Sequence, residues 1–191
     1  MVERISIIGT AGSGKTTLAR RLAAALDLPH LELDSVFHQP GWTPLPDDEF
    51  VPLVADFVAQ DRWVVCGKYK QVRPIVFGRA DTVVCLDHNR LRQTLRVAGR
   101  TVRRAARREV LWNGNRESWK ALWVFQPAED SIVRWAWDDI PRVRRLFDAV
   151  EAEWAPRGVD VVRLRGWPSI NAWAQAATGG FASPSGRTRG G

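Results

Sequence analysis

The nine residues Gly9–Thr17, read Gly-Thr-Ala-Gly-Ser-Gly-Lys-Thr-Thr, constrain this chain more than any other stretch. They satisfy the spacing G-x-x-x-x-G-K-[ST] at Gly9, Gly14, Lys15 and Thr16. The spacing alone arises by chance, so its context decides. Before it, Ile5-Ser6-Ile7-Ile8 is a short apolar run rich in β-branched residues, as a buried parallel strand should be. After it, Leu18, Leu22 and Leu26 with Ala19, Ala23 and Ala25 recur at helical spacing. Strand, glycine loop and helix in that order build a phosphate cradle. The backbone N–H groups of Thr10, Ala11, Gly12, Ser13, Gly14 and Thr17 surround phosphate oxygens at the positive end of the helix. Lys15 reaches the β- and γ-phosphates, and the Thr16 hydroxyl ligates Mg²⁺. The expected ligand is a nucleoside triphosphate, with ATP and Mg²⁺ as the cofactors.

At 191 residues the chain suits one domain, expected over 1–177 with a small lid at about 104–137 and a disordered tail over 178–191. No apolar run approaches the ~20 residues a membrane span needs. The first strand begins almost at once, which leaves no room for a signal peptide. Cys66 and Cys85 fall inside expected central strands and read as buried free thiols of a reducing compartment. A cytoplasmic protein is the expectation. The net charge of +7 is concentrated: residues 90–120 hold ten Lys/Arg against Glu109 and Glu117, more than the whole chain's balance. Such a local device suits polyphosphate or nucleic acid.

After the first helix, His30–Asp34 reads as a strand whose C-terminal end carries Asp34, on the edge where open α/β sheets place ligands. A carboxylate there can hold Mg²⁺ or accept a proton from an attacking hydroxyl, and the competing reading is a helix cap. Phe37–Pro46 is a proline-rich loop bearing Trp42, a candidate to cover an acceptor, with core packing as its alternative. A helix follows from Asp47 to about Gln60, then a strand over Arg62–Cys66. Lys68, Arg73 and Arg79 come next as candidate contacts for an anionic acceptor, against the blander reading of solvated cations. Asp81–Asp87 is the fourth strand. Arg90–Arg108 reads as a basic helix with two stripes: Leu91, Leu95, Ala98, Val102 and Ala105, expected inward, and Arg92, Arg96, Arg100, Arg103 and Arg107. Within that second stripe, the arginines nearest the strand end suit phosphate, and the distal ones suit solvent. Five of the ten tryptophans lie in 112–137, where Asn113-Gly114-Asn115 is a turn and Glu117–Trp123 looks helical. A helix over Ile140–Trp154, a strand over Val159–Leu164 and a short helix to about Ala176 complete the order.

This sequence resembles the adenylate-kinase-like P-loop proteins, and within them the bacterial "DNA topology modulation protein" group. The resemblance rests on residues 9–20, Leu33-Asp34, Pro40-Gly41-Trp42, residues 62–69 and 79–87, and Trp-Asn-Gly-Asn-Arg-Glu at 112–117. It implies a three-layer α/β fold: a five-stranded parallel sheet of order 2-3-1-4-5, helices on both faces and a small helical lid. Arg96 and Arg100 match lid-helix arginines that touch adenine and phosphates, and the turn holding Gly166 matches the loop cradling the base. The Walker B place at the end of strand three, usually Asp-Gly, is Cys66-Gly67 here. A neutral thiol does not hold hydrated Mg²⁺. Some small-metabolite kinases of the fold this chain resembles use the carboxylate after strand two, which implies Asp34 with Thr16 as the metal's protein contact. The alternative is a chain that binds nucleotide and turns it over poorly. Asp87 matches a strand-end aspartate outside that place. The expected activity is transfer of the γ-phosphoryl group of ATP to a small acceptor, possible acceptors including nucleotides. Lys15, Asp34 and Arg100 are the catalytic candidates. The alternative is a nucleotide-binding regulatory module with weak ATPase activity that grips nucleic acid through the arginine-rich helix, which lacks a recognised nucleic-acid motif.

Overall fold

The computed structural model describes residues 3–116 and 131–179. Five strands, β1 (Arg4–Gly9), β2 (His30–Glu32), β3 (Trp63–Cys66), β4 (Thr82–Asp87) and β5 (Asp160–Arg165), form one parallel sheet in the order β2-β3-β1-β4-β5. The helices are α1 (Lys15–Leu26), α2 (Leu33–Phe37), α3 (Asp47–Val58), α4 (Arg73–Arg79), α5 (Arg90–Ala106), α6 (Ile132–Trp154) and α7 (Gly166–Ala177).

Strand alternation sorts the sheet's side chains into two cores. Ile5, Ile7, Val64 and Val84 meet Leu18 and Leu22 of α1 and Ile170 of α7. On the opposite face Ile8, Val65, Val83 and Cys85 meet Phe50 of α3, Phe77 of α4 and Phe147 of α6. Burial of each such aliphatic or aromatic side chain contributes about 1.5–3 kcal/mol. The result is the three-layer α/β architecture of P-loop kinases. Cys66 and Cys85 lie on opposite faces as buried free thiols, each pushed up to about 12 by burial. Among the described residues no helix is long and apolar enough to cross a membrane.

Four local expectations change. The second strand stops at Glu32, and Asp34 sits in the first turn of α2. The helix expected from Ile140 starts at Ile132, where the Ser131 hydroxyl accepts a hydrogen bond from the Arg134 amide at 3.3 Å; Pro141 lies inside it. It therefore absorbs the C-terminal end of the expected lid. On α5 three members of the stripe expected inward face out, Leu91 at 58 %, Leu95 at 62 % and Val102 at 44 % exposure, while its Ala105 is buried. Gln93, Val97 and Thr101 are buried beside it. Finally, Thr178 caps α7 as part of the fold. The helix expected over 117–123 and the tail from 180 onward lie outside the described residues.

Candidate active site

The glycine loop leaves β1 at Gly9 and enters α1 at Lys15, as the spacing requires. Gly14 is left-handed (φ 91°), and a Cβ there would meet the Trp167 ring at 2.5 Å, so only glycine fits. The loop's carbonyls are drawn away by side chains. Gln93 donates to the Thr10 hydroxyl at 2.8 Å and the Ala11 carbonyl at 2.7 Å. His88 Nε2 donates to the Ser13 carbonyl at 2.9 Å, and Lys15 Nζ to the Thr10 carbonyl at 3.0 Å. The first-turn N–H groups of α1 have no intrahelical partner, which leaves them for phosphate oxygens. Burial pulls the Lys15 ammonium below the ordinary lysine value, with the Asp34 charge opposing. Neither Gln93 nor His88 stood out in the sequence, because their partners are backbone atoms of a loop more than seventy residues away.

The carboxylate bonded to the first turn of α1 is Glu32. Its Oε1 accepts the Thr16 hydroxyl at 2.7 Å, and its Oε2 faces Arg20 at 3.3 Å. Glu32 is nine-tenths buried and lies beside Cys66 in the β2–β3 register. The position that the thiol leaves without charge thus has a carboxylate on the neighbouring strand. A hydroxyl and a carboxylate are the hard oxygen donors Mg²⁺ selects. Among the described residues no group of three His, Cys, Asp or Glu could hold a metal ion by itself, so these two residues fit an ion that also takes phosphate and water. The Cys66 thiol points to His30 Nε2 at 3.4 Å. Asp87, buried at the end of β4, is held by Arg144 at 3.0 Å and Arg163 at 2.9 Å and ties β4 to α6 and β5.

Asp34 and Glu32 both line one cleft of about 1600 Å³ that begins at the glycine loop. The Tyr69 hydroxyl donates to Asp34 Oδ1 at 2.7 Å and stands 3.3 Å from His38 Nε2. Burial, and then the Asp34 charge, raise the Tyr69 phenol well above its ordinary value. Of the expected acceptor contacts, Lys68 lines the cleft but is paired with Asp139 at 2.9 Å and lies over the Trp135 ring. Arg73 also lines it, its Nε buried without a hydrogen-bond partner among the described residues. Arg79 lies elsewhere: its guanidinium donates to the Val58 and Ala59 carbonyls and closes the C-terminus of α3. Arg96, Arg100, Arg103 and Arg104 of α5 line the cleft, whereas Arg107, the most distal of the stripe, is exposed at the helix end. Arg96 stacks on Trp167 at 4.8 Å, directly after Gly166, whose φ of 77° makes the turn into α7.

The cleft's far wall is aromatic. Trp42 meets His38 and Trp112 edge to face, and His38 stacks on Trp112. The 112–116 turn docks on this wall through its amides. Asn115 accepts from the Trp42 N–H at 2.9 Å and donates to the Gln39 carbonyl at 2.9 Å. Asn113 donates to the His38 carbonyl at 2.7 Å. Trp42 has a left-handed backbone (φ 61°), a conformation costing about 1–2 kcal/mol in a non-glycine residue, and the Asn115 contact helps hold it.

Against known proteins, no family model matches the chain. Cytidylate kinases of two Nitratidesulfovibrio vulgaris strains are each 46 % identical over 43 residues, 22 % of this chain and 18 % of theirs. The chain thus matches under a fifth of those relatives' length. A gluconokinase from Sinorhizobium meliloti 1021 is similar in structure at a TM-score of 0.49, with 20 % identity over 93 % of this chain and 91 % of its own. A shikimate kinase from Aquifex aeolicus vf5 gives 0.46 and 14 %, over 92 % and 96 % of the two chains. Likenesses of this size identify neither substrate nor activity. They do not single out the "DNA topology modulation protein" group.

Proposed function

We propose that this chain is an ATP-dependent phosphotransferase that moves the γ-phosphoryl group to a small acceptor. The observation that carries the reading is the convergence of the glycine loop, Glu32 and Asp34 on one cation-rich cleft. Lys15, Arg96 and Arg100 neutralise the phosphates, and the Arg96–Trp167 pair with Gly166 holds the base. Thr16 and Glu32 would hold Mg²⁺, which when bound would neutralise negative charge on the phosphate oxygens. Asp34 receives the acceptor hydroxyl's proton, while Arg73 and Lys68 offer positive charge to an anionic acceptor and Trp42 covers it. A nucleotide acceptor is in keeping with the local likeness to cytidylate kinase. The narrower affiliation with the "DNA topology modulation protein" group rests on the sequence segments quoted for it. The cleft-facing arginines favour this reading over a nucleic-acid grip, which salt-dependent binding of DNA or RNA would reveal.

The test is calorimetry of Mg²⁺-ATP, followed by ADP release with a panel of small hydroxylated and phosphorylated acceptors. Lys15→Ala is expected to weaken ATP binding at least about tenfold, roughly 1.4 kcal/mol, without unfolding the protein. Unchanged affinity in a folded variant, or no acceptor-stimulated ADP release across the panel, counts against the reading.

A further inference from the structure

Asp34 has two oxygens, and the structure treats them differently. Its Oδ1 accepts the Tyr69 hydroxyl at 2.7 Å, whereas Oδ2 takes no hydrogen bond among the described residues. A carboxylate only accepts, so the tyrosine proton lies on this short bond. The Tyr69 oxygen is then left to accept from His38 Nε2, 3.3 Å away, which places the imidazole proton on Nε2. His38 Nδ1 is buried without a hydrogen-bond partner among the described residues, in keeping with a neutral ring carrying its proton on the other nitrogen. The direction of the chain is therefore fixed from His38 to Tyr69 to Asp34.

The rings of this chain are held from the sides. Phe37 lies 4.3 Å from the Tyr69 ring and Phe50 lies 5.4 Å from it. Phe37, Trp42 and Trp112 surround the imidazole. Such packing fixes rotamers and with them the Asp34 carboxylate plane. The arrangement has no need of this precision if Asp34 is only a surface acid, yet Asp34 and His38 both line the cleft.

We propose that Tyr69 and His38 are positioning residues: Tyr69, oriented by His38, occupies Asp34 Oδ1 and so aims Oδ2 at the acceptor's hydroxyl. This rests on the phosphotransferase reading and adds to it the parts that orient the base. In the transfer, the acceptor O–H bond breaks as its oxygen bonds to the γ-phosphorus, the proton passes to Asp34 Oδ2, and ADP leaves with the bridging oxygen's electron pair. Neither Tyr69 nor His38 gains or loses a proton. Their contribution is orientation, which acts on turnover rather than on nucleotide binding.

The experiment uses the full chain and water as the probe acceptor. ATP hydrolysis is followed by phosphate release, with Lys15→Ala as the background. Tyr69→Phe is expected to lower kcat about tenfold with KM for ATP unchanged. His38→Ala lowers it less, and His38→Gln, whose amide N–H restores the donor, recovers most of that loss. The double variant falls no further than Tyr69→Phe, because the two act in one chain. Independently of activity, Tyr69 is the single tyrosine, so ζ-carbon labelling gives one NMR resonance. That resonance is expected to move on Asp34→Asn and on His38→Ala in folded protein. The inference fails if Tyr69→Phe keeps wild-type kcat, if KM for ATP changes as much as kcat, or if the resonance stays in place in both variants. Wild-type hydrolysis no faster than Lys15→Ala sinks the phosphotransferase reading and this inference together. Active wild type with equally active Tyr69→Phe sinks the inference alone.

Discussion

Glu32 and Asp34 stand two residues apart and end up with different partners, one against the Thr16 hydroxyl and the other against the Tyr69 hydroxyl. Their expected roles separate in measurement. Glu32→Gln keeps the shape but removes the one negative charge of its pair with Thr16, so the Mg²⁺ concentration for half-maximal turnover should rise about tenfold. Asp34→Asn should lower turnover roughly a hundredfold or more at an unchanged Mg²⁺ requirement, because it removes a proton acceptor. Activity titrated against Mg²⁺ for both variants checks the assignment, and identical profiles would merge the two roles. In the sequence, His30, Glu32 and Asp34 share one alternation, so either acid could have met the glycine loop. Only the turn from β2 straight into α2, which carries Asp34 off the strand, decides between them.

At the scale of elements, α5 is the part whose orientation periodicity left open. Two stripes on one basic helix both satisfied helical spacing, and the more apolar one was the natural inward face. Tertiary contact chose otherwise, since Gln93 finds the Thr10 hydroxyl and Ala11 carbonyl and so is buried without an orphaned amide. Val97 packs over Gly12, leaving no room for a Cβ there. Rotating the helix this way sends Arg96, Arg100 and Arg103 into the cleft and leaves Arg107 exposed at the helix end. Arg100→Ala is therefore expected to lower turnover about tenfold or more, and Arg107→Ala to stay within about twofold. Steady-state kinetics on the two variants distinguishes a cleft-directed stripe from a uniformly solvated one. The sheet order, by contrast, came from the resemblance to the adenylate-kinase-like P-loop proteins, because the strand–loop–helix pattern places β1 and α1 but does not by itself order the other strands.

For the whole molecule, the three histidines share a direction. Burial lowers His30, His38 and His88 from the ordinary imidazole value, ahead of the raising pull of Glu32 on His30 and Asp34 on His38. For His88, the Ser13 carbonyl raises, Arg96 lowers and Asp87 raises. The unfolded chain therefore takes up protons first as pH falls through about 6.5. Stability from these groups is complete above that value and is lost below it. Urea unfolding at about pH 7.5 and about pH 5.5 should show a lower midpoint at the acid value with an unchanged slope. The docked turn at 112–116 has a consequence of another kind. Its two asparagines hold the backbone of residues 38–42, so the amide protons of both segments should exchange with solvent in one step. Two distant loops that open as one cooperative unit do so against the sum of those shared bonds, so removing either asparagine should speed the exchange of both segments.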